Sequence, residues 1–339
     1  MNISSSQLNE LTLIPYEGAG NRTPILDISS LIDNINTDPT IIRSQLESNI
    51  PFRTWLAREG KCVRADSIMI YYLTSNEDYD AVTFIGEPGV SINAPFSDMC
   101  GNGIRSLVLH IILSSSDQKR NDFLSEGMGI WAGEVRTVLV SDINFQEKSG
   151  TFRVEMGPFT MLYAPMIIPH PLLKNMRIHS GFNGQTTGEP HVVILITDED
   201  LASWRVKCSA IARINDPLEI ARTLVCLLGK DITFNSELFP RGVNVNVGLI
   251  QGNTISMSTH ERNIHSSQST CIADQQKNTF CRCNTLACGT GGAAVANIAL
   301  LLFPHMDSMI TTIHPGGTIQ YDLRYGYTTM IGNAHQSAI

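Results

Sequence analysis

One tetrapeptide pattern, Cys-Gly-x-Gly, occurs twice in this chain, and each copy opens an apolar helix. The first is Met99-Cys-Gly-Asn-Gly-Ile-Arg-Ser-Leu-Val-Leu-His-Ile-Ile-Leu113 and the second is Thr285-Leu-Ala-Cys-Gly-Thr-Gly-Gly-Ala-Ala-Val-Ala-Asn-Ile-Ala-Leu-Leu-Leu-Phe303. From Gly291 to Phe303 there is neither charge nor proline, and Ala and Leu dominate, which predicts a buried helix. Cys288 then falls at the helix's first turn, among unpaired backbone N–H groups and the positive end of the dipole. Such a position brings a thiol's pKa from about 8.5 toward neutrality and favours the thiolate. A single Cys-Gly-x-Gly is weak. Two, one in each half, point to a duplicated unit with equivalent cysteines, Cys100 and Cys288.

Composition bounds what that pair serves. The 339 residues allow two domains with proper cores, and 42% hydrophobic with 17% charged residues describe an ordered globular chain. A net charge of −8 without a basic block argues against nucleic acid as a partner. No apolar run reaches about 18 residues, so no membrane span is expected. The start Met1-Asn-Ile-Ser-Ser-Ser-Gln7 has no basic segment followed by an apolar one, so no signal peptide is expected. Eight cysteines then read as thiols in a cytoplasmic enzyme rather than as a disulfide framework.

Along the chain, Leu11 to Asp27 reads as strand, Gly-rich loop and strand, and Asp38 to Glu59 carries helical spacing. Strands are expected at 67–73, 81–85, 134–140, 150–156 and 192–197, with an irregular loop from Pro88 to Asp98. A helix is expected near 217–228. A hairpin is expected at 243–250 and 254–259, turning at Gly252-Asn253. Residues 263–284 read as a long polar loop, and a last strand as ending at Ile331.

Spaced motifs in order make the chain similar to the diaminopimelate epimerase family, a group of cofactor-independent amino-acid racemases and epimerases. They are Gly18-Ala-Gly-Asn21, Arg64-Ala-Asp66, Asn93-Ala94, Met99 to Arg105, Gly188-Glu-Pro-His191, Asn246 to Gln251, His260-Glu-Arg262, Ala287 to Gly291, Pro315-Gly-Gly317 and Met330-Ile-Gly332. The resemblance implies an α+β fold of two pseudo-symmetric domains, each a curved, mostly antiparallel sheet wrapped around a central helix, with the active site in the cleft between them. Expected boundaries are 1–155, 156–326 and a segment 327–339 returning to the first domain. It also implies a homodimer, no cofactor and no metal.

The implied chemistry is inversion of an amino acid's α-carbon, with a thiolate removing the proton from one face and a thiol returning one to the other. Cys100 and Cys288 fill those roles. Backbone N–H groups of Gly101, Asn102, Gly289 and Thr290 would receive the substrate carboxylate. By resemblance, His191 and Glu261 would hold the α-ammonium, and Asn21, Asn93, Asn246 and Arg262 the rest of the molecule.

Glu189 departs from the pattern, standing where the family has asparagine. A carboxylate there would repel a distal carboxylate and welcome a distal cation, favouring a basic amino acid (histidine, lysine or arginine) over diaminopimelate. The loop before Cys288 is long and adds Cys271, Cys281 and Cys283; with His265 these could be read as zinc ligands, giving a non-catalytic binding module, but Cys-x-Cys is not a usual zinc spacing. Plainer readings exist: His191 capping a strand, Arg262 pairing with Glu261, Cys208 and Cys226 as core residues, and His110, His305 and His314 as structural or surface groups.

Overall fold

The computed structural model describes residues 3–88, 92–167, 178–184, 188–233, 235, 237–240, 242–262 and 285–337. The chain divides into two compact units: residues 1–155 with 331–339, and residues 156–330.

Unit 1 begins with helix α1 (Ser5–Glu10), strands β1 (Tyr16–Gly18), β2 (Asn21–Arg22) and β3 (Ile25–Asp27), then helices α2 (Pro39–Glu47) and α3 (Ile50–Cys62). Strands β4 (Ile68–Leu73) and β5 (Ala81–Gly86) follow, then helices α4 (Gly101–Ser114) and α5 (Asp117–Glu126). The unit continues with β6 (Met128–Trp131), β7 (Val135–Asn144) and β8 (Ser149–Gly157). Its strands lie in the order β3-β4-β5-β6-β7-β8. Two neighbouring pairs are parallel, β3 with β4 and β5 with β6; β4/β5, β6/β7 and β7/β8 are antiparallel. Parallel neighbours require a crossover. Helices α2 and α3 form the first, and α4 with α5 the second.

Unit 2 repeats the plan. Strands β9 (Phe159–Met166), β10 (Ile178–Asn183) and β11 (His191–Ile196) lead to helices α6 (Asp198–Lys207) and α7 (Pro217–Thr233). Then come β12 (Asn244–Gln251), β13 (Thr254–His260), helix α8 (Gly289–Leu302), β14 (Met309–His314) and β15 (Gly317–Asp322). Again two pairs are parallel, β11 with β12 across α6 and α7, and β13 with β14 across α8. The hairpin β12–β13 turns at Gly252-Asn253 with Gly252 at φ +63°, as its sequence predicts. A final strand, β16 (Thr328–Gln336), carries the chain on past Ile331, and its end pairs with β1.

Three expectations change. The last strand runs five residues beyond Ile331. Unit 2 holds a second apolar-faced helix beside α8: α7, with 17 residues, is longer than α8 and carries its own core of Ile220, Leu224, Leu228 and Ile232. Elements α1, α5, α6, β6, β9, β10 and β14 had no place in the sequence reading. Helix α5 is polar apart from Phe123 and Leu124 and buries only Phe123, so it has no apolar stripe to read. Helix α6 does announce itself, through the capping box of Thr197 and Asp200.

The cysteine-led helices are the most enclosed. In α4 every residue from Gly101 to Ile112 is buried, and α8 is buried from Gly289 to Ala296. Small residues make the close approach possible. A Cβ on Gly103 would lie 2.1 Å from Met69 Sδ on β4, and one on Gly292 would lie 2.3 Å from the Tyr321 hydroxyl on β15.

Candidate functional site

Each cysteine is the N-cap of its helix, one position before the first turn. Cys100 Sγ accepts a hydrogen bond from the Gly103 N–H at 3.4 Å, and Cys288 Sγ one from the Gly291 N–H at 3.3 Å. A sulfur thus takes the place that a Ser or Asp oxygen ordinarily holds at a helix start. A thiolate is the better acceptor, and it also faces the positive end of the dipole. Both sulfurs are thiols, outside any disulfide, and Cys288 is the more buried.

Unit 1 builds its turn from three segments. The hairpin β1–β2 turns at Ala19 and Gly20, both at positive φ, and Gly18 packs so closely on α4 that a Cβ would stand 3.0 Å from the Asn102 carbonyl oxygen. Asn21, which ends that turn, is buried. Asp66 fixes the hairpin by accepting the Arg22 N–H at 2.7 Å, and burial holds its carboxyl above the usual range. Ser67 follows, its hydroxyl 3.8 Å from Cys100 Sγ.

The third segment, residues 92–99, carries Asn93 in an exposed turn and delivers the chain to Cys100. Two arginines unremarked in the sequence hold it. Arg43 bonds to the Asp98 carboxylate and the Phe96 carbonyl, while Arg53 donates to the Ala94 carbonyl and stacks its guanidinium 4.4 Å from the Phe96 ring centre. Glu47 accepts the Phe96 N–H at 2.8 Å.

Within α4, Asn102 turns its side-chain oxygen to Arg105, which donates at 2.5 Å and is fully buried. The distant Gly332 explains itself here: a Cβ there would fall 1.7 Å from Arg105 Nη1. His110 sits farther along α4, against the edges of Tyr16 and Tyr71, in a structural role.

Unit 2 surrounds Cys288 differently. The Thr290 hydroxyl is 3.5 Å from Cys288 Sγ and 3.0 Å from His191 Nε2. His191 is fully buried on β11, and its Nδ1 is 3.1 Å from Asn246 Nδ2 on β12. Asn246 Nδ2 also donates to the Val192 carbonyl at 2.9 Å, and its Oδ1 accepts the Thr259 hydroxyl of β13 at 2.8 Å. A Cβ on Gly291 would lie 2.4 Å from that Oδ1, so the glycine lets the turn settle on Asn246. Burial first, and then the nearby Arg262 cation, push the His191 pKa down to about 3, leaving the imidazole neutral.

His191 and Asn246 engage each other and their neighbours inside unit 2. One plain reading shifts at this point. Arg262 pairs not with Glu261 but with Glu189, Nη2 to Oε2 at 2.5 Å, with 20% and 16% of the two side chains exposed. Its backbone N–H binds Asn244 Oδ1 at 2.9 Å. Glu189 is therefore a carboxylate already answered by a cation. Glu261 is partly buried at the end of β13. Cys208 lies in the core around α7, whereas Cys226 is only partly buried. His265, Cys271, Cys281 and Cys283 lie outside the described residues.

Against this geometry the likenesses are consistent. A diaminopimelate epimerase of Methanocella arvoryzae is 26% identical over 226 residues, 65% of this chain and 62% of that protein. A diaminopimelate epimerase of Hydrogenobaculum sp. is 22% identical over 319 residues, covering 91% of this chain and 90% of that one. No family model matches the chain. Among solved structures, a probable proline racemase from Agrobacterium radiobacter covers 97% of this chain and 92% of its own, at TM-score 0.62 and 14% identity. A hydroxyproline epimerase from Agrobacterium vitis covers 97% and 89% at TM-score 0.56 and 13% identity. The chain has the fold of those racemase and epimerase structures. It is α+β, with a cysteine-led helix buried in each unit. Among the described residues no helix is long and apolar enough to cross a membrane.

Proposed function

We propose that this chain is an isomerase that inverts the α-carbon of an amino acid without pyridoxal phosphate, using Cys100 and Cys288 as its two bases. The observation that carries the reading is the matched pair of cysteine N-caps. Each sulfur sits where backbone N–H groups and a helix dipole favour the thiolate. Inversion requires one sulfur to take the α-proton as thiolate while the other, as thiol, returns a proton to the opposite face; the roles exchange with direction. The N–H groups of Gly101, Asn102, Gly289 and Thr290 suit the carboxylate, whose charge grows as the carbanion forms.

For the substrate, diaminopimelate is the favoured reading, supported by the names of the relatives and by the Glu189–Arg262 pair. A lone distal carboxylate must displace Glu189 from Arg262, and a lone distal ammonium must displace Arg262 from Glu189. Either exchange leaves one charge of the pair unanswered, which is costly where both are mostly buried. A distal group bearing both charges, as in diaminopimelate, replaces both partners at once. Racemisation of a basic amino acid is the alternative.

The test is proton NMR in D₂O with reductant, following loss of the α-proton from LL-diaminopimelate, histidine, lysine and arginine. Exchange of diaminopimelate with inversion of the α-carbon, the inversion lost in Cys100→Ser and in Cys288→Ser, is the expected result. Inversion that survives loss of either sulfur would overturn the two-thiol mechanism, and exchange of a basic amino acid alone would transfer the reading to the alternative.

A further inference from the structure

The hydrogen bonds around Asn246 have only one consistent direction. The Val192 carbonyl can only accept, so the atom 2.9 Å from it is the amide nitrogen; Asn246 Oδ1 then faces the Thr259 hydroxyl and accepts from it. The same nitrogen therefore donates to His191 Nδ1 at 3.1 Å, which makes Nδ1 an acceptor. A neutral imidazole with Nδ1 accepting carries its proton on Nε2, and that proton points to Thr290 Oγ1 at 3.0 Å. With one lone pair so engaged, the Thr290 hydroxyl keeps its own proton for Cys288 Sγ, 3.5 Å away.

We propose that Thr259, Asn246, His191 and Thr290 form a directed chain whose last member donates its hydroxyl proton to the Cys288 sulfur and holds it as the thiolate. Thr290 is the residue that touches the sulfur; His191, Asn246 and Thr259 are positioning residues that set the direction of the donor. The equivalent position beside Cys100 is Asn102, whose side-chain oxygen is turned to Arg105. The chain is thus a property of unit 2; beside Cys100 a different hydroxyl stands, that of Ser67, 3.8 Å from Sγ. The titratable and charged groups around the turn are consistent with this. His191 is neutral, Arg262 is matched by Glu189, and the Tyr321 hydroxyl donates to the Gly289 carbonyl at 2.8 Å.

This inference rests on the two-cysteine reading for its use but not for its test, which needs no substrate. The full chain is alkylated with iodoacetamide across pH 5 to 10, and modification of Cys288 is read by mass spectrometry of its own peptide. Exposed Cys62 serves as internal reference and buried Cys208 as the reporter of an intact unit 2. Losing one hydrogen bond to a charged acceptor should move the Cys288 midpoint up by about one pH unit in Thr290→Val. Thr290→Ser, which keeps the hydroxyl, should restore it. Thr290→Ala removes the same hydroxyl without the added methyl and carries the test if Cys208 becomes reactive in Thr290→Val. An unchanged midpoint in the variants without hydroxyl, or a Thr290→Ser shift as large as theirs, would overturn the chain. The expected shift without amino-acid exchange would leave the chain standing and remove the isomerase reading instead.

Discussion

Acid should loosen unit 2 by an amount set by two buried histidines. Burial brings His260 down to about 4, and burial with Arg262 brings His191 down to about 3, against about 6.5 for an unfolded histidine. Because each folded pKa lies below the unfolded one, the unfolded chain binds more protons below pH 6.5. Stability is therefore full above that pH and falls as pH drops toward 4 for His260 and toward 3 for His191. At pH 5 an unfolded histidine is protonated about 30 to 1 while both folded rings remain neutral, which costs about 2 kcal/mol each and about 4 kcal/mol together. The figure at pH 5 is insensitive to the folded values, since both lie well below it. Both ring nitrogens of His260 are buried with no hydrogen-bond partner among the described residues, so His260→Leu removes its share without stranding a partner. The assay is urea unfolding at pH 7.5 and pH 5, with unit 2 peptides followed by pulsed hydrogen exchange and mass spectrometry. The variant should lose about 2 kcal/mol less than the parent on going to pH 5. Equal losses in the two proteins would refute the assignment of a buried, neutral His260.

Two other perturbations probe the site's support. Gly332→Ala should destabilise unit 1 by about 3 kcal/mol, the upper end of ordinary overpacking, because the fully buried Arg105 has no space to withdraw into; an unchanged urea midpoint would contradict that packing. Glu189→Gln should release Arg262 and so raise the KM for diaminopimelate while bringing in amino acids with a single distal carboxylate, followed by α-proton exchange. An unaltered substrate profile would separate the pair from recognition.

Much of the fold was legible because the informative signals were local. The Cys-Gly-x-Gly turns carry their own physics, since a small residue, a sulfur and an apolar run together specify an N-cap and a buried helix. The β12–β13 hairpin was legible from Gly252-Asn253 for the same reason. What stayed hidden depends on register. Thr259, Asn246 and His191 meet because β11, β12 and β13 are neighbours, with Val193 opposite Asn246 and Asn246 opposite Thr259, and no local pattern reports that. Thr290 was read for its backbone N–H alone, since a hydroxyl's partner cannot be known before the strands are placed. Arg43 and Arg53 carry no local signal of a role, yet they clamp the segment before Cys100. The Glu189–Arg262 contact joins residues 73 apart, which no local pattern reports.

The unlike neighbours of the two turns, Arg105 behind Asn102 and His191 behind Thr290, have a consequence for kinetics. For a catalyst of inversion, the ratio of kcat/KM in the two directions equals the equilibrium constant between stereoisomers, which the protein cannot alter. A change at Thr290 must then scale both directions by one factor. What unequal thiols can set is how the resting enzyme divides between two proton-isomers, one loaded to accept each hand of substrate. Turnover at high substrate concentration then depends on how fast the proton redistributes between the sulfurs after product leaves.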